Sequence, residues 1–263
     1  MILAAAKITE WEEEQLFYIC EGFSEIKKGD LVIVKEQEFE EAAIVKEIIE
    51  ESESKETEKN TVLRKAGNDD LIKLSELGRK QEEYLKYCNE CVKNLKLDMK
   101  LVDCHVSFDE QRIIFAFTAE GRVDFREIVK MLNWSFRKTI RMHQIGIRDE
   151  AKITGDFGMC GRALCCKKFL KELTSVGSEG ADVQQINHRG SDRISGICGR
   201  LMCCLNYEKE GYKELAKKLP AIGSNVKFEG KNMKVLSWHV LKQTVDLEID
   251  KDTKIEVEIG KLG

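Results

Sequence analysis

Apolar positions change period several times along the chain, and each change marks an element. Gln15-Leu16-Phe17-Tyr18-Ile19 and Leu31-Val32-Ile33-Val34 read as short strands, with Lys28-Gly29-Asp30 as a turn signal before the second. From Asp70 to Leu97, Leu71, Leu74, Leu77, Leu85, Cys88, Val92 and Leu95 recur at helical spacing. Val102, Cys104, Val106 and Phe108 then alternate along one strand and Ile113, Phe115 and Phe117 along the next, with a turn at Phe108-Asp109-Glu110-Gln111. Asp124 is the expected cap of a helix, with Glu127 three residues later and Phe125, Ile128, Val129, Leu132 and Phe136 on one face. A strand is expected over Ile140 to Ile147, and its change of parity between Met142 and Ile145 predicts a bulge.

Residues 149–200 are rich in Gly and Cys and show little periodicity. A helix from about Cys204 to Leu219 stops at Pro220, and four segments of β character from Asn225 to Ile259 suggest a small barrel or curled sheet. The fold class is α+β. The expected segments are a β-rich region at 1–50, a charged linker at 51–69, an α+β unit at 70–148, a cysteine region with its helix at 149–220 and a terminal β region at 221–263. Most of the linker, 51–68, reads as a mobile loop.

Composition narrows the class. The 263 residues are 42% hydrophobic and 34% charged, which is ordinary for a folded chain and excludes wholesale disorder. No stretch approaches the length of a membrane span, and the acidic residues after Ala6 argue against a signal peptide, so a cytoplasmic protein without membrane insertion is expected. The net charge of −4 does not indicate a generic polyanion-binding surface. Charge is uneven, however. Ten glutamates between Glu36 and Glu58 face only Lys46 and Lys55, and this run reads as a solvated edge and loop. Seven Lys or Arg between Gly121 and Arg148 face Asp124 and Glu127; this stretch could contact RNA or an acidic partner, with ordinary solvated faces as the simpler reading.

The ten cysteines carry the chemistry. In a reducing compartment clustered thiols point to metal or redox chemistry rather than to disulfides. One motif occurs twice, 38 residues apart: Cys160-Gly161-Arg162-Ala163-Leu164-Cys165-Cys166 and Cys198-Gly199-Arg200-Leu201-Met202-Cys203-Cys204. Such a match in register marks a duplicated binding unit. Gly161 and Gly199 allow a tight turn that lets the first cysteine meet the pair. A helix start and the adjacent Arg162 or Arg200 are expected to lower the thiol pKa values, and the apolar pairs to shield the site. A closed zinc site and a [4Fe–4S] cluster both take four ligands, which three cysteines per motif do not fill; a cysteine-only set suits the cluster, so iron–sulfur is placed ahead of zinc, which stays as the alternative. Each triad could bind a cluster completed from elsewhere, or the two triads could combine. Cysteines filling core gaps are the bland reading, and the repeat speaks against it.

The paired motifs resemble those of the RicT/YaaT family, proteins with the polymerase-suppressor carboxy-terminal domain. Further likeness lies in Leu97-Asp98-Met99-Lys100-Leu101-Val102, Gly121-Arg122-Val123-Asp124-Phe125-Arg126, the run from Gln144 to Lys152, and Ile194-Ser195-Gly196-Ile197 before the second motif. The resemblance spans roughly Asp70 to Glu258. It implies a non-enzymatic regulatory subunit that joins RicA-like and RicF-like small helical proteins in a complex carrying [4Fe–4S] clusters. That complex directs RNase Y in message maturation, with effects on sporulation, competence and biofilm formation; RNA is an indirect partner on this reading, and direct RNA binding by this chain is left open. The ligands it implies are Cys160, Cys165, Cys166, Cys198, Cys203 and Cys204. The family commonly has Pro where this chain has Ala163.

Other candidates are weaker. Cys88, Cys91, Cys104 and His105 approach zinc-site spacing, but Cys88 falls on the apolar helix stripe, Cys104 on an apolar strand face and His105 on the opposite face. Cys20, at a strand end, reads as structural. His143, His188 and His239 have no carboxylate or nucleophile at an interpretable spacing, and no nucleotide-binding or hydrolase motif occurs. The aromatic residues suggest no stacking platform. The rival functions are a zinc-stabilised nucleic-acid-binding module and a redox or electron-transfer protein.

Overall fold

The computed structural model describes residues 2–20, 26–50, 60–170, 175–250 and 253–263. It is a mixed α and β fold, and its contacts divide the chain into two units, 1–155 and 156–263. Among the described residues no helix is long and apolar enough to cross a membrane.

The first unit begins with five strands: β1 (Ile2–Lys7), β2 (Gln15–Ile19), β3 (Leu31–Glu36), β4 (Phe39–Glu50) and β5 (Asn60–Lys65). They form a closed barrel in the order β1-β2-β5-β3-β4, with β4 returning to pair with β1. Closure leaves no sheet edge for other chains to join. Small residues of β1, Ala4 and Ala6, leave room inside for Phe17, and Val32, Val34, Val45 and Val62 complete the barrel core.

The acidic run expected as edge and loop is in large part β4, the longest strand. Its glutamates hide a period of two, in which Glu41, Ala43 and Val45 are buried while Glu40 and Ile44 are exposed. Of the expected loop at 51–68, residues 51–59 lie outside the described residues, and Asn60–Lys65 form β5. The apolar start of the chain also forms a strand, β1.

The rest of the unit runs α1 (Asn68–Asn94), β6 (Lys100–Val106), β7 (Arg112–Thr118), α2 (Arg126–Phe136), β8 (Thr139–Gln144) and α3 (Ile147–Thr154). The sheet order is β6-β7-β8, antiparallel between the first two strands and parallel between the last two, with α2 as the crossover. Central β7 is buried at every position. On one face Ile113, Phe115 and Phe117 pack with Leu77 and Cys88 of α1 and Ile128 and Leu132 of α2. On the other, Ile114 and Ala116 meet Trp11 and Ile145. Ile33 of the barrel belongs to the first of these cores, so barrel and sheet share one interior.

Two details differ from the periodicity. The register of β8 on β7 is unbroken from Thr139 to Gln144, and the strand simply ends there; Ile145 changes parity because it already lies in the loop before α3. Asp124 does not cap α2 from the N-cap position, which Phe125 occupies; its carboxylate accepts from the Arg126 N–H at 3.1 Å and from the Arg126 side chain.

Barrel and sheet also share buried charge. Arg112 of β7 donates to Glu36 of β3 and, at 2.7 Å, to Glu41 of β4, while His105 of β6 lies 2.8 Å from the other Glu41 oxygen. Gln15 donates to Glu36 at 2.9 Å, and the Arg112 guanidinium lies over the Phe39 ring. Burial alone would raise the Glu36 carboxyl, but the donors Arg112 and Gln15 hold it below its ordinary value. The same carboxylates hold the Arg112 pKa up against the opposing effect of burial.

In the second unit three short helices, α4 (Cys165–Lys168), α5 (Glu179–Val183) and α6 (Ser191–Ile194), and the longer α7 (Cys203–Ala216) precede the strands β9 (Asn225–Phe228), β10 (Lys231–His239), β11 (Thr244–Asp250) and β12 (Thr253–Glu258). These strands form an open antiparallel sheet in the order β12-β11-β10-β9. Tyr212, Leu215 and Ala216 of α7 pack on its core of Val235, Val245, Leu247 and Val257. Trp238 donates its ring N–H to the Pro220 carbonyl at 2.7 Å, pinning the segment after α7 to the sheet. Buried Asp246 accepts from Ser237 at 2.7 Å and from Lys254, and lies 3.2 Å from His239. Burial would raise its carboxyl, but these partners hold it at about 2.

Two outcomes are expected. Arg112→Met leaves fully buried Glu41 without its cation and should lower the stability of the first unit by about 3–5 kcal/mol in urea unfolding. Because the folded pKa of Asp246 is depressed, its contribution is complete above the unfolded value near 3.8 and is lost as pH falls through about 2. NMR spectra of the β10 and β11 amides should therefore lose dispersion over that interval, and Asp246→Asn should flatten the dependence.

Candidate metal centre

Each cysteine motif opens with a backbone knuckle. In the first, the Gly158 N–H donates to the Arg162 carbonyl at 2.8 Å and the Gly161 N–H to the Gly158 carbonyl at 3.0 Å. In the second, Gly196 donates to Arg200 at 2.8 Å and Gly199 to Gly196 at 3.0 Å. Matching β-bridges, Phe157 to Ala163 and Ser195 to Leu201, close both turns. Gly161 and Gly199 have φ of +74° and +71°, a conformation that costs side-chain-bearing residues energy, so glycine follows the first cysteine for a backbone reason.

The repeat is longer than the seven residues legible as a motif. A Cβ on Gly158 would lie 3.6 Å from Cys160 Sγ, and one on Gly196 3.8 Å from Cys198 Sγ. The first sulfur of each motif thus folds back over a glycine two residues earlier. Both sequences read Gly-(apolar)-Cys-Gly-Arg, so the signal for Gly158 and Gly196 was present.

Leu164 and Met202 repeat too, with near-identical extended backbones (φ −53° and −57°, ψ 128° and 130°), and turn the chain into α4 and α7. Cys165 and Cys166 open the first helix, and Cys203 and Cys204 the second. Five of the six motif cysteines are half-buried and Cys160 is exposed. Arg162 and Arg200 are exposed, and their carbonyls close the knuckles.

The apolar pair of the second motif has a packing role. Leu201 and Met202 lie against a small core of Ala181, Ile194 and Leu205. Gly180 of α5 makes this possible, since a Cβ there would stand 2.8 Å from the Leu205 carbonyl oxygen. Gln184, one turn on, donates to that same oxygen at 3.0 Å.

The two motifs meet electrostatically. The Cys204 thiol is pushed up, first by burial, then by Glu208 one turn along α7, and further by Cys165 and Cys160 of the other motif. The expected lowering by helix start and arginine is therefore reversed at Cys204, because desolvation and a carboxylate outweigh them. Phe169, just after α4, stacks edge-on against Tyr207 of α7 with ring centroids 5.1 Å apart. Among the described residues no three His, Cys, Asp or Glu already stand in a ligating arrangement. The donor chemistry fits a thiophilic metal or an iron–sulfur cluster, since both motifs offer thiols and nothing harder. The geometry brings the motifs together without a completed ligand shell.

The remaining cysteines separate from this centre. Cys88, Cys91 and Cys104 are buried in the core beneath α1. Burial pushes Cys88 to about 12 and Cys104 upward, so these are protonated packing groups. His105 points to Glu41 instead. Cys20 is exposed after β2. His143 packs against Trp11, with burial lowering its pKa, and His239 lies beside Asp246.

The close approach at Gly180 has a measurable consequence. Gly180→Ala should cost roughly 1–3 kcal/mol, seen as a fall in the melting temperature of the second unit. Gly211→Ala, in α7 with open space around it, should raise stability by about 0.5–1 kcal/mol.

Comparison with known proteins is consistent with this architecture. Residues 60–145 match the family described as the PSP1 C-terminal conserved region, and residues 175–219 match the third domain of PSP1-like proteins. The first match runs from β5 to just beyond β8, and the second covers α5 to α7, including the second cysteine motif. A Bacillus subtilis protein named stage 0 sporulation protein YaaT is 40% identical over 194 residues, covering 74% of this chain and 70% of its own length. An uncharacterised Schizosaccharomyces pombe protein is 28% identical over 95 residues, 36% of this chain and 13% of its own. No solved structure matches. With two PSP1 matches and a relative this similar over most of both chains, the protein belongs to the YaaT (RicT) family of PSP1-domain proteins.

Proposed function

We propose that the protein is a non-catalytic regulatory scaffold of the cytoplasm whose two knuckles hold one or more [4Fe–4S] clusters. Its ligands are drawn from Cys160, Cys165, Cys166, Cys198, Cys203 and Cys204. With small helical partners like RicA and RicF it directs RNase Y-dependent maturation of messages in a sporulation-linked programme. The observation that carries the cluster reading is the repeated knuckle, with Cys204 of one motif in the field of Cys160 and Cys165 of the other. The name of the Bacillus subtilis relative supports the sporulation link; the partners and RNase Y are what the family resemblance implies.

A bound cluster would supply a stiff link between the motifs. The chain's own contribution is positional. Gly161 and Gly199 turn each first cysteine back, Leu164 and Met202 aim the cysteine pairs, and the Gly180 contact seats the second motif. Six thiols spread over two separate turns suit a scaffold in which partners contribute further ligands. Thiols also suit zinc, so the metal itself is the decisive quantity.

Protein purified without oxygen, alone and co-expressed with partner subunits, should be brown and contain iron and acid-labile sulfide in equal amounts. Cys160→Ser and Cys204→Ser should each abolish both, while Cys20→Ser leaves them unchanged. Stoichiometric zinc without sulfide under both conditions would overturn the cluster reading in favour of a zinc-stabilised module.

A further inference from the structure

We propose that the exposed face of α2, centred on Trp134, binds single-stranded RNA directly. The proposal uses neither the cysteine motifs nor a bound metal, so it stands or falls apart from the cluster scaffold.

α2 buries Ile128 and Leu132 and turns its other side outward. Trp134 is 84% exposed, more than any other large apolar side chain among the described residues. An isolated exposed apolar residue is ordinary, but this one has company. Met131 is exposed one turn before it, and Tyr87 of α1 lies nearby, its hydroxyl 3.1 Å from Ser135 Oγ.

Charge surrounds the ring. Lys130 stands one helical turn before Trp134, and Arg137 follows the helix as its left-handed C-cap; both are exposed, and neither forms an ion pair among the described residues. The other cations nearby are partly committed: Arg126 is held by Asp124, and Lys138 by Glu110. With one cation before Trp134 and one after it in the chain, backbone phosphates can meet positive charge on either side of a base lying on the indole. α2 also carries exposed Glu127 in its first turn, so the positive charge beside Trp134 comes from Lys130 and Arg137, in a chain of net charge −4.

The occupant follows from that combination. Carboxylates of an acidic protein could use the cations but would leave the open indole face without a planar partner. A duplex keeps its bases stacked on each other, whereas a single strand offers both phosphates and free base faces. The exposed Tyr87–Ser135 hydroxyl pair can hydrogen-bond a ribose 2′-hydroxyl, which favours RNA over DNA. Exposed Glu83 and Glu90 on α1 flank Tyr87 and repel a polyanion from that side, so the strand runs along α2.

The test uses the full chain and a fluorescent oligouridylate of about 12 nucleotides, with binding followed by anisotropy over a series of salt concentrations. Wild type should bind with a marked salt dependence. Trp134→Ala should weaken binding about tenfold and Trp134→Phe much less, both with unchanged melting temperature because the side chain lies outside the core. The pair Lys130→Gln and Arg137→Gln should lower the slope of log affinity against log salt by about 0.7 for each cation removed. Leu241→Ala, at an exposed apolar side chain of the second unit, should leave binding unchanged. Absence of binding by wild type, affinity unaffected by Trp134→Ala, or equal competition by oligothymidylate or polyglutamate would each overturn the proposal.

Discussion

Glu41 is fully buried at the seam between barrel and sheet, and a buried carboxylate is tolerable only with its partners in place. Arg112 and His105 supply them from adjacent strands of the sheet, and Arg112 reaches Glu36 as well. The barrel therefore cannot shift along the sheet without stranding charge, whereas the apolar core around Ile33 would tolerate small slips. Hydrophobic burial holds the first unit together, and the charge network fixes its alignment.

The second unit obtains precision by other means. Its knuckles are built from backbone hydrogen bonds and left-handed glycines, so their shape depends little on surrounding side chains. Its helices are mostly too short to be stable alone, and they are held by the contact of Gly180 with the Leu205 carbonyl and by the packing of α7 on the terminal sheet. The motifs are thus two rigid turns on a lightly supported frame.

Metal chemistry and RNA contact fall in different units under this view. The cysteine knuckles lie in 156–263, and α2 with Trp134 lies in 1–155.

The sequence by itself determined the elements with strong periodicity, such as α1, the β6–β7 hairpin and α7, because amphipathic spacing is a local property. It also determined the duplicated cysteine unit, since a repeat of seven residues needs no third dimension to be recognised. β4 was hidden because its glutamates mask a period of two, and Glu41 is neutralised by residues more than sixty positions away. The reversal at Cys204 likewise depends on burial and on thiols across the fold. Trp134 could be counted in the sequence but not seen as exposed, because α2 buries only the face that carries Ile128 and Leu132. Local pattern decided which segments form and which chemistry is available; tertiary structure decided which charges are paired, which thiols meet and which aromatic ring faces water, because each depends on groups distant in the chain.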